Sequence, residues 1–244
     1  MAIDTSTRLN RVKDYLLNYI STSQLGRGDR LPSEAEMSKE LGVSRNTIRE
    51  AYITLEAEGI INRRHGVGTF VERSPMIKES LRDELLGFPQ RIKMAGYTSD
   101  FRLLSVQNVI APPKVYDALQ VAPEQEVLRV EFLLLANDLP TVFLIDHFSP
   151  EVDHSKFDWD QFDGTMLNFI SDSLEMPELQ MHSRISAINA SQEVAEQLQL
   201  EAGKPIIHIQ SRVDSLDERP LTYTMVYLNP NYIEIDITRN FRHK

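Results

Sequence analysis

The sequence predicts an α+β protein in two parts: a helix-turn-helix with a β-hairpin wing, then a pseudo-symmetric antiparallel-sheet domain. Three observations predict it. Capping and turn signals crowd residues 33–44, between stretches of helical periodicity. Strand-like runs dominate beyond residue 100 and recur in two copies about 79 residues apart. Charge is divided unevenly: residues 1–74 hold 11 Lys+Arg and 10 Asp+Glu, leaving 15 and 26 of the chain's 26 and 36 for residues 75–244. Only the first part can approach a polyanion without a repulsion penalty.

The totals bound the class. A chain of 244 residues with formal net charge −10 and these charged and apolar fractions is globular rather than disordered. The absence of Cys removes disulfides, thiolate metal sites and cysteine nucleophiles. No apolar run reaches membrane-spanning length, and MAIDTSTRLN lacks a signal-peptide core, so a cytoplasmic protein with no membrane partner is expected.

Leu9, Val12, Leu16, Tyr19 and Ile20 recur at helical spacing and predict a first helix over residues 7–22, broken by Gly26 and Gly28. Ser33-Glu34-Ala35-Glu36 reads as a capping box starting a second helix that ends near Leu41, at Gly42. Ser44 caps a third helix running to about Glu58, and the Gly42-Val43-Ser44 turn makes the pair a helix-turn-helix. Ile48, Ala51 and Leu55 form its apolar arc; Arg45, Asn46 and Arg49 occupy another arc in the first two turns. There a recognition helix enters the major groove, and arginine suits the guanine edge. GIINRRHGVGTFVER then alternates around a glycine-rich turn, so Ile60–Arg63 and Thr69–Val71 predict a wing with Arg63, Arg64 and His65 near its tip. Basic wing tips touch phosphate or the minor groove.

The segment LPSEAEMSKELGVSRNTIREAYITLEAEGIINRRHGVGTFV resembles the winged helix-turn-helix of the GntR family of bacterial transcriptional regulators, over roughly residues 8–73. The resemblance implies DNA contacts at Arg45, Thr47 and Arg49 and in the wing at His65 and Gly66. With their neighbours Ser33, Glu34, Ser44, Asn46, Arg64 and Gly68 these make up the expected DNA-binding set. Family members often carry a further arginine where this chain has Ala35.

Beyond a short polar linker at Arg73-Ser74-Pro75, Leu81, Leu85 and Leu86 suggest a brief helix before Pro89. FRLLSVQNVI, EVLRVEFLLL, TVFLIDHF, QMHSRISAIN, PIIHIQSRV and LTYTMVYL read as strands. Ala118-Leu119-Gln120-Val121, a strand, Asn137-Asp138-Leu139-Pro140 and a strand are echoed by Gln197-Leu198-Gln199-Leu200, a strand, Asp217-Glu218-Arg219-Pro220 and a strand. Two such halves commonly enclose a ligand cleft. Phe162-Asp163-Gly164-Thr165 opens a helix through Leu167 and Ile170, whose first amides either hold an anion or are capped by Asp163. The expected domains are residues 1–74, a linker with short helix over 75–95, and an effector-binding and dimerisation domain over 96–244.

The second part resembles the UTRA effector-binding domain (chorismate-lyase-like) of the HutC-type branch of the same family, over about residues 80–240, with Tyr227 and Tyr232 near its end. The resemblance implies a homodimeric repressor on a pseudo-palindromic double-stranded operator, with a small anionic metabolite, commonly a sugar phosphate, altering DNA affinity. Sugar-phosphate members carry arginines where this chain has Phe132 and Leu134, and Arg-Gly-Asp-Arg where it has Leu228-Asn229-Pro230-Asn231, so bidentate phosphate recognition is weakened. Arg102, Arg129, Arg184 and Arg212, with Asp163, Gly164, Thr165 and Tyr227, are the effector-site candidates; each arginine has a surface salt bridge as its alternative. An amino acid or other unphosphorylated acid, or a DNA-binding protein with no ligand, remain the alternatives. No HExxH, GxSxG or P-loop pattern occurs, and Asp146, His147, Glu151, Asp153 and His154 read as solvated rather than metal-binding, so no enzyme, cofactor or metal is expected.

Overall fold

A computed structural model of the chain describes residues 5–23, 25–64, 66–72, 77–80 and 87–236. His65, the linker at residues 73–75 and the helix expected around Leu81, Leu85 and Leu86 lie outside them. The chain forms two compact units: residues to 82 with 91–97 and those from 231 onward, and residues 83–90 with 98–230.

In the first unit α1 (Thr5–Thr22) buries Val12, Leu16, Leu17 and Ile20, and its Tyr15 hydroxyl donates to Glu40 at 2.6 Å. The expected capping box starts α2 (Glu34–Leu41): the Glu36 amide donates to Ser33 Oγ at 3.3 Å and the Ser33 amide to Glu36 Oε2 at 2.7 Å. Gly42 closes α2 with φ 64°, a left-handed conformation that costs glycine nothing. Ser44 caps α3 (Arg45–Ala57), which buries Ile48, Ala51, Tyr52 and Leu55. The wing is β1 (Ile61–Arg64) against β2 (Gly68–Val71), and Arg30 bridges to Phe70, so the chain entering α2 adds a third edge. A short strand, β3 (Ile77–Ser80), follows.

Next comes α4 (Phe88–Met94), which carries Pro89 in its first turn, where a missing N–H costs nothing. The second unit then runs β4 (Ser99–Ile110), α5 (Pro113–Leu119), β5 (Glu126–Ala136), β6 (Leu139–Phe148), α6 (Met166–Leu174), β7 (Leu179–Asn189), α7 (Gln192–Leu198), β8 (Pro205–Ser215) and β9 (Pro220–Leu228). These strands cover all six strand-like runs of the sequence. They form one antiparallel sheet in the order β4-β5-β6-β9-β8-β7, a palindromic order whose pseudo-twofold runs between β6 and β9. The repeat extends to details: α5 and α7 both end on a left-handed glutamine, Gln120 (φ 57°) and Gln199 (φ 54°). The β5–β6 turn holds Asn137 and Asp138 at φ 49° and 65°, the type I′ geometry suited to sheet twist.

The two halves meet across β6 and β9. They share one continuous sheet, and α5 packs on β9 while α7 packs on β6. Each helix covers the other half's central strand, which joins the halves into one core: Leu133, Phe143 and Ile145 meet Val194 and Leu198 of α7, and Tyr223 meets Val115 and Leu119 of α5.

The pair least visible in sequence is β10 (Ile233–Asp236) with β3, parallel and four residues long. It belongs to the first unit. The Tyr232 hydroxyl donates to Asn18 Oδ1 of α1 at 2.7 Å and the Ser21 hydroxyl to the Asn231 carbonyl.

Candidate functional site

The first site is built on α3. Its buried arc fixes which residues face outward, leaving Arg45, Asn46 and Arg49 exposed in the first two turns. Ser44 Oγ accepts from the Thr47 amide at 3.2 Å and lies 2.8 Å from Thr47 Oγ1. Asn46 Nδ2 donates to Glu50 at 3.0 Å along the helix. Ser33 and Ser44, expected among the DNA contacts, have their hydroxyls engaged as helix caps.

Glu34 joins three elements. From the first turn of α2 its carboxylate receives Arg49 Nε at 3.2 Å and Arg63 Nη2 of the wing at 2.8 Å. A carboxylate at a helix N-terminus also interacts favourably with the helix dipole. The Arg49 side chain is 57 % exposed, so its pair is a surface one contributing about 0–1 kcal/mol, less than the roughly 1–3 kcal/mol of a bidentate guanine contact. Glu34 thus orients Arg49 without retaining it. Beneath, the Tyr52 hydroxyl donates to the Pro32 carbonyl at 2.6 Å, and burial raises its pKa beyond the ordinary tyrosine range.

The wing supplies Arg64, whose guanidinium sits 4.8 Å from the Phe70 ring centre, and the positive-φ glycines Gly66 and Gly68. A groove of about 500 Å³ runs between Glu34 and the wing, lined by Arg30, Arg63 and Arg64. A second, of about 560 Å³, lies beside the start of α3 and is lined by Arg8 and Arg11 of α1. Arg8, Arg11 and Arg30 are not among the residues expected to meet DNA. The available signals were the three-residue spacing of Arg8 and Arg11 and the position of Arg30 directly before the LPSE segment. Ala35 lies exposed on α2.

The second site was expected in the sheet domain, and the register separates its candidates. Residues directly opposite in antiparallel strands share a face. Arg102 pairs with Leu133, Arg129 with His147, Arg212 with Tyr223, Arg184 with Gln210, and Tyr227 with Phe143. All five share the face covered by α5 and α7. Asp163, Gly164 and Thr165 lie on the opposite face, where a Cβ on Gly164 would meet Leu134 at 3.1 Å and Phe101 at 3.4 Å. One pocket cannot hold the whole expected set.

On the helix-bearing face, Arg129 is ion-paired with Glu131 and lies 3.8 Å from Glu193. Arg212 is paired with buried Asp214, its Nε and Nη2 donating at 3.1 and 2.9 Å. These two arginines follow the salt-bridge alternative, while Arg102 and Arg184 are exposed on the edge strands. Tyr227 stacks on His208 at 4.7 Å and donates to Met225 Sδ at 3.7 Å. Burial, then Lys114, lowers the His208 pKa, and its buried Nε2 has no hydrogen-bond partner.

On the other face, the Thr165 amide, a candidate anion donor, donates to Asp163 Oδ1 at 2.8 Å. Phe132 and Leu134, the positions of the absent arginines, are buried, and Phe132 meets Phe162 edge-on at 5.1 Å. Phe162 in turn packs with Phe101, Trp159 and Phe169.

Asp146 and His147, expected to be solvated, are buried. Each is 1 % exposed, because β6 is covered on both faces. They point to opposite faces as expected of strand neighbours. Asp146 accepts from Thr224, while burial pushes its carboxyl up to about 7. Burial, reinforced by Arg129, pushes His147 down to about 4. Among the described residues, no three acidic or histidine side chains gather in a metal-holding group, and no helix is long and apolar enough to cross a membrane.

Comparison with known proteins finds two family models along the chain. The UTRA domain model matches residues 94–234, more than half the chain, and the model of bacterial regulatory proteins of the gntR family matches residues 9–71. The chain is 25 % identical over 218 residues to the uncharacterized HTH-type transcriptional regulator YurK of Bacillus subtilis, covering 85 % of each protein. It is 26 % identical over 200 residues to the HTH-type transcriptional repressor NagR of the same organism, covering 82 % of this chain and 81 % of NagR. The crystal structure of PhnF from Mycobacterium smegmatis shares the fold, with a TM-score of 0.59 at 17 % identity, covering 94 % of this chain and 97 % of PhnF.

Proposed function

The chain belongs to the UTRA-domain family and is a GntR-type transcriptional regulator, not an enzyme, and from that premise we propose that it is a metabolite-controlled repressor. Two winged heads of a homodimer bind a pseudo-palindromic operator in the cytoplasm. Arg45 and Arg49 read base edges, Thr47 and Asn46 adjoin them, and Arg64 with the Gly66–Gly68 tip meets the backbone or minor groove. One observation carries this reading: arginines concentrate at the exposed start of α3 in a chain whose net charge is −10. NagR, a relative over most of its length, is named a repressor.

The effector is a small acid bound by the sheet domain. An unphosphorylated ligand is favoured by one observation: buried, apolar Phe132 and Leu134 stand at the positions of phosphate-clamping arginines, and Phe132 packs edge-on against Phe162. Binding changes operator affinity only by the difference in the ligand's affinity between the DNA-bound and free arrangements.

Arg49→Ala tests the reading. It is expected to cost about 1–3 kcal/mol of operator affinity and to relax base choice at one position per half-site. Fluorescence anisotropy in which the variant binds and discriminates like wild type would sink it. A thermal-shift screen with sugar phosphates, amino acids and small carboxylates tests the ligand class; stabilisation by sugar phosphates alone would reverse the assignment.

A further inference from the structure

Arg8, Arg11 and Arg30 have no part in that reading, yet they border the recognition helix on both sides. On α1, Arg8, Arg11, Val12 and Tyr15 succeed one another at i, i+3, i+4 and i+7, a single helical face. Val12 is buried and Tyr15 is tied to Glu40, so this face is fixed against α2 and the α2–α3 turn. Arg8 and Arg11 remain exposed, across the groove from Ser44 and Thr47 at the start of α3. On the far side of α3, Arg63 is held by Glu34 and Arg64 lies over Phe70. Arg30 completes that groove, exposed and packed against Gly68. A Cβ on Gly68 would come within 2.8 Å of Arg30 Nε, so the missing side chain is what admits the guanidinium.

We propose that these two grooves are phosphate cradles: Arg8 and Arg11 hold the backbone of one DNA strand, and Arg30 holds the other. The chemistry and the layout agree. The major groove is about 12 Å wide and bounded by one phosphate backbone on each side, and a helix with its side chains nearly fills it. Cations flanking such a helix therefore meet opposite strands. Arginine binds phosphate oxygens bidentately, and such contacts set register without reading sequence. An acidic peptide would have reason to occupy one groove, not two placed on either side of the same helix. The inference rests on α3 being the recognition helix.

Salt dependence tests it. Operator and random duplexes are titrated between about 50 and 200 mM salt with wild type, Arg8→Gln/Arg11→Gln, Arg30→Gln and Arg49→Ala, each checked for folding by circular dichroism. Each lost phosphate contact removes about 0.9 from the slope of log K against log salt. The expected slope is shallower by about 1.8 per bound head for the double variant and about 0.9 for Arg30→Gln, with both duplexes weakened by the same factor. Wild-type slopes in both variants overturn the cradles, as does altered base preference, which would put these arginines on bases. Arg49→Ala separates the two failures. If it loses operator preference while the other variants behave as wild type, the recognition helix stands and the cradles fall; if it too behaves as wild type, the reading beneath them falls.

Discussion

Replacing Asp146 by asparagine should remove a pH-dependent weakness from the sheet domain. The carboxyl is 1 % exposed on central strand β6, accepts from Thr224, and has no partner for Oδ2. Burial raises it from 3.8 to about 7, against the smaller lowering by Thr224. The sign follows from linkage. With the folded pKa above the unfolded one, the native chain keeps a proton that the unfolded chain releases, so stability falls as pH rises from about 4 to about 7 and is then level. At about 1.36 kcal/mol per unit, the full cost approaches about 4 kcal/mol above pH 7, and roughly 3 kcal/mol of it develops between pH 5 and pH 8. Asparagine keeps an acceptor for Thr224 and leaves an unpaired amide instead, a penalty of about 1–3 kcal/mol that does not vary with pH. The decisive quantity is therefore the change with pH of the difference between variant and wild type. The single tryptophan, Trp159, lies in the same unit and packs on Phe157, Phe162 and Phe169, so its fluorescence during urea unfolding follows the relevant transition. Wild type should lose roughly 3 kcal/mol more than Asp146→Asn between pH 5 and pH 8. Parallel profiles would refute a neutral native carboxyl at position 146.

Two substitutions in the head follow from its packing. Glu34→Gln frees Arg49 and Arg63 and removes a negative charge, so affinity for random DNA should rise while the operator-to-random ratio falls; an unchanged ratio in competition binding would show that Glu34 does not orient Arg49. Gly68→Ala puts a Cβ at φ 146° and 2.8 Å from Arg30 Nε, and should cost about 1–3 kcal/mol of head stability. Thermal unfolding followed by far-ultraviolet circular dichroism, with no shift from wild type, would contradict that packing.

The sequence by itself determined whatever depends on neighbours along the chain. The Ser33–Glu36 box, the Gly42 turn and the buried arc of α3 are spacings of three or four residues, and all three recur in the structure with the expected partners. The sheet strands were legible because each is long and bounded by turn residues, and the repeat in sequence became the pseudo-twofold order of the sheet. What required the tertiary structure was anything set by pairing between distant segments. The face shared by Arg102, Arg129, Arg184, Arg212 and Tyr227 follows from strand register, and the opposite location of Asp163–Thr165 follows from where α6 lies. Asp146 and His147 looked solvated because a strand covered on both faces has the same local pattern as one near water. The β3–β10 pair joins residues more than 150 apart, and four-residue strands carry almost no periodic signal. Arg8 and Arg30 are ordinary surface charges along the chain; only packing of α1 and the wing against the helix-turn-helix brings them to either side of α3. Local hydrogen bonds and periodicity are written in consecutive residues, whereas a site is a meeting of side chains that the fold alone brings together.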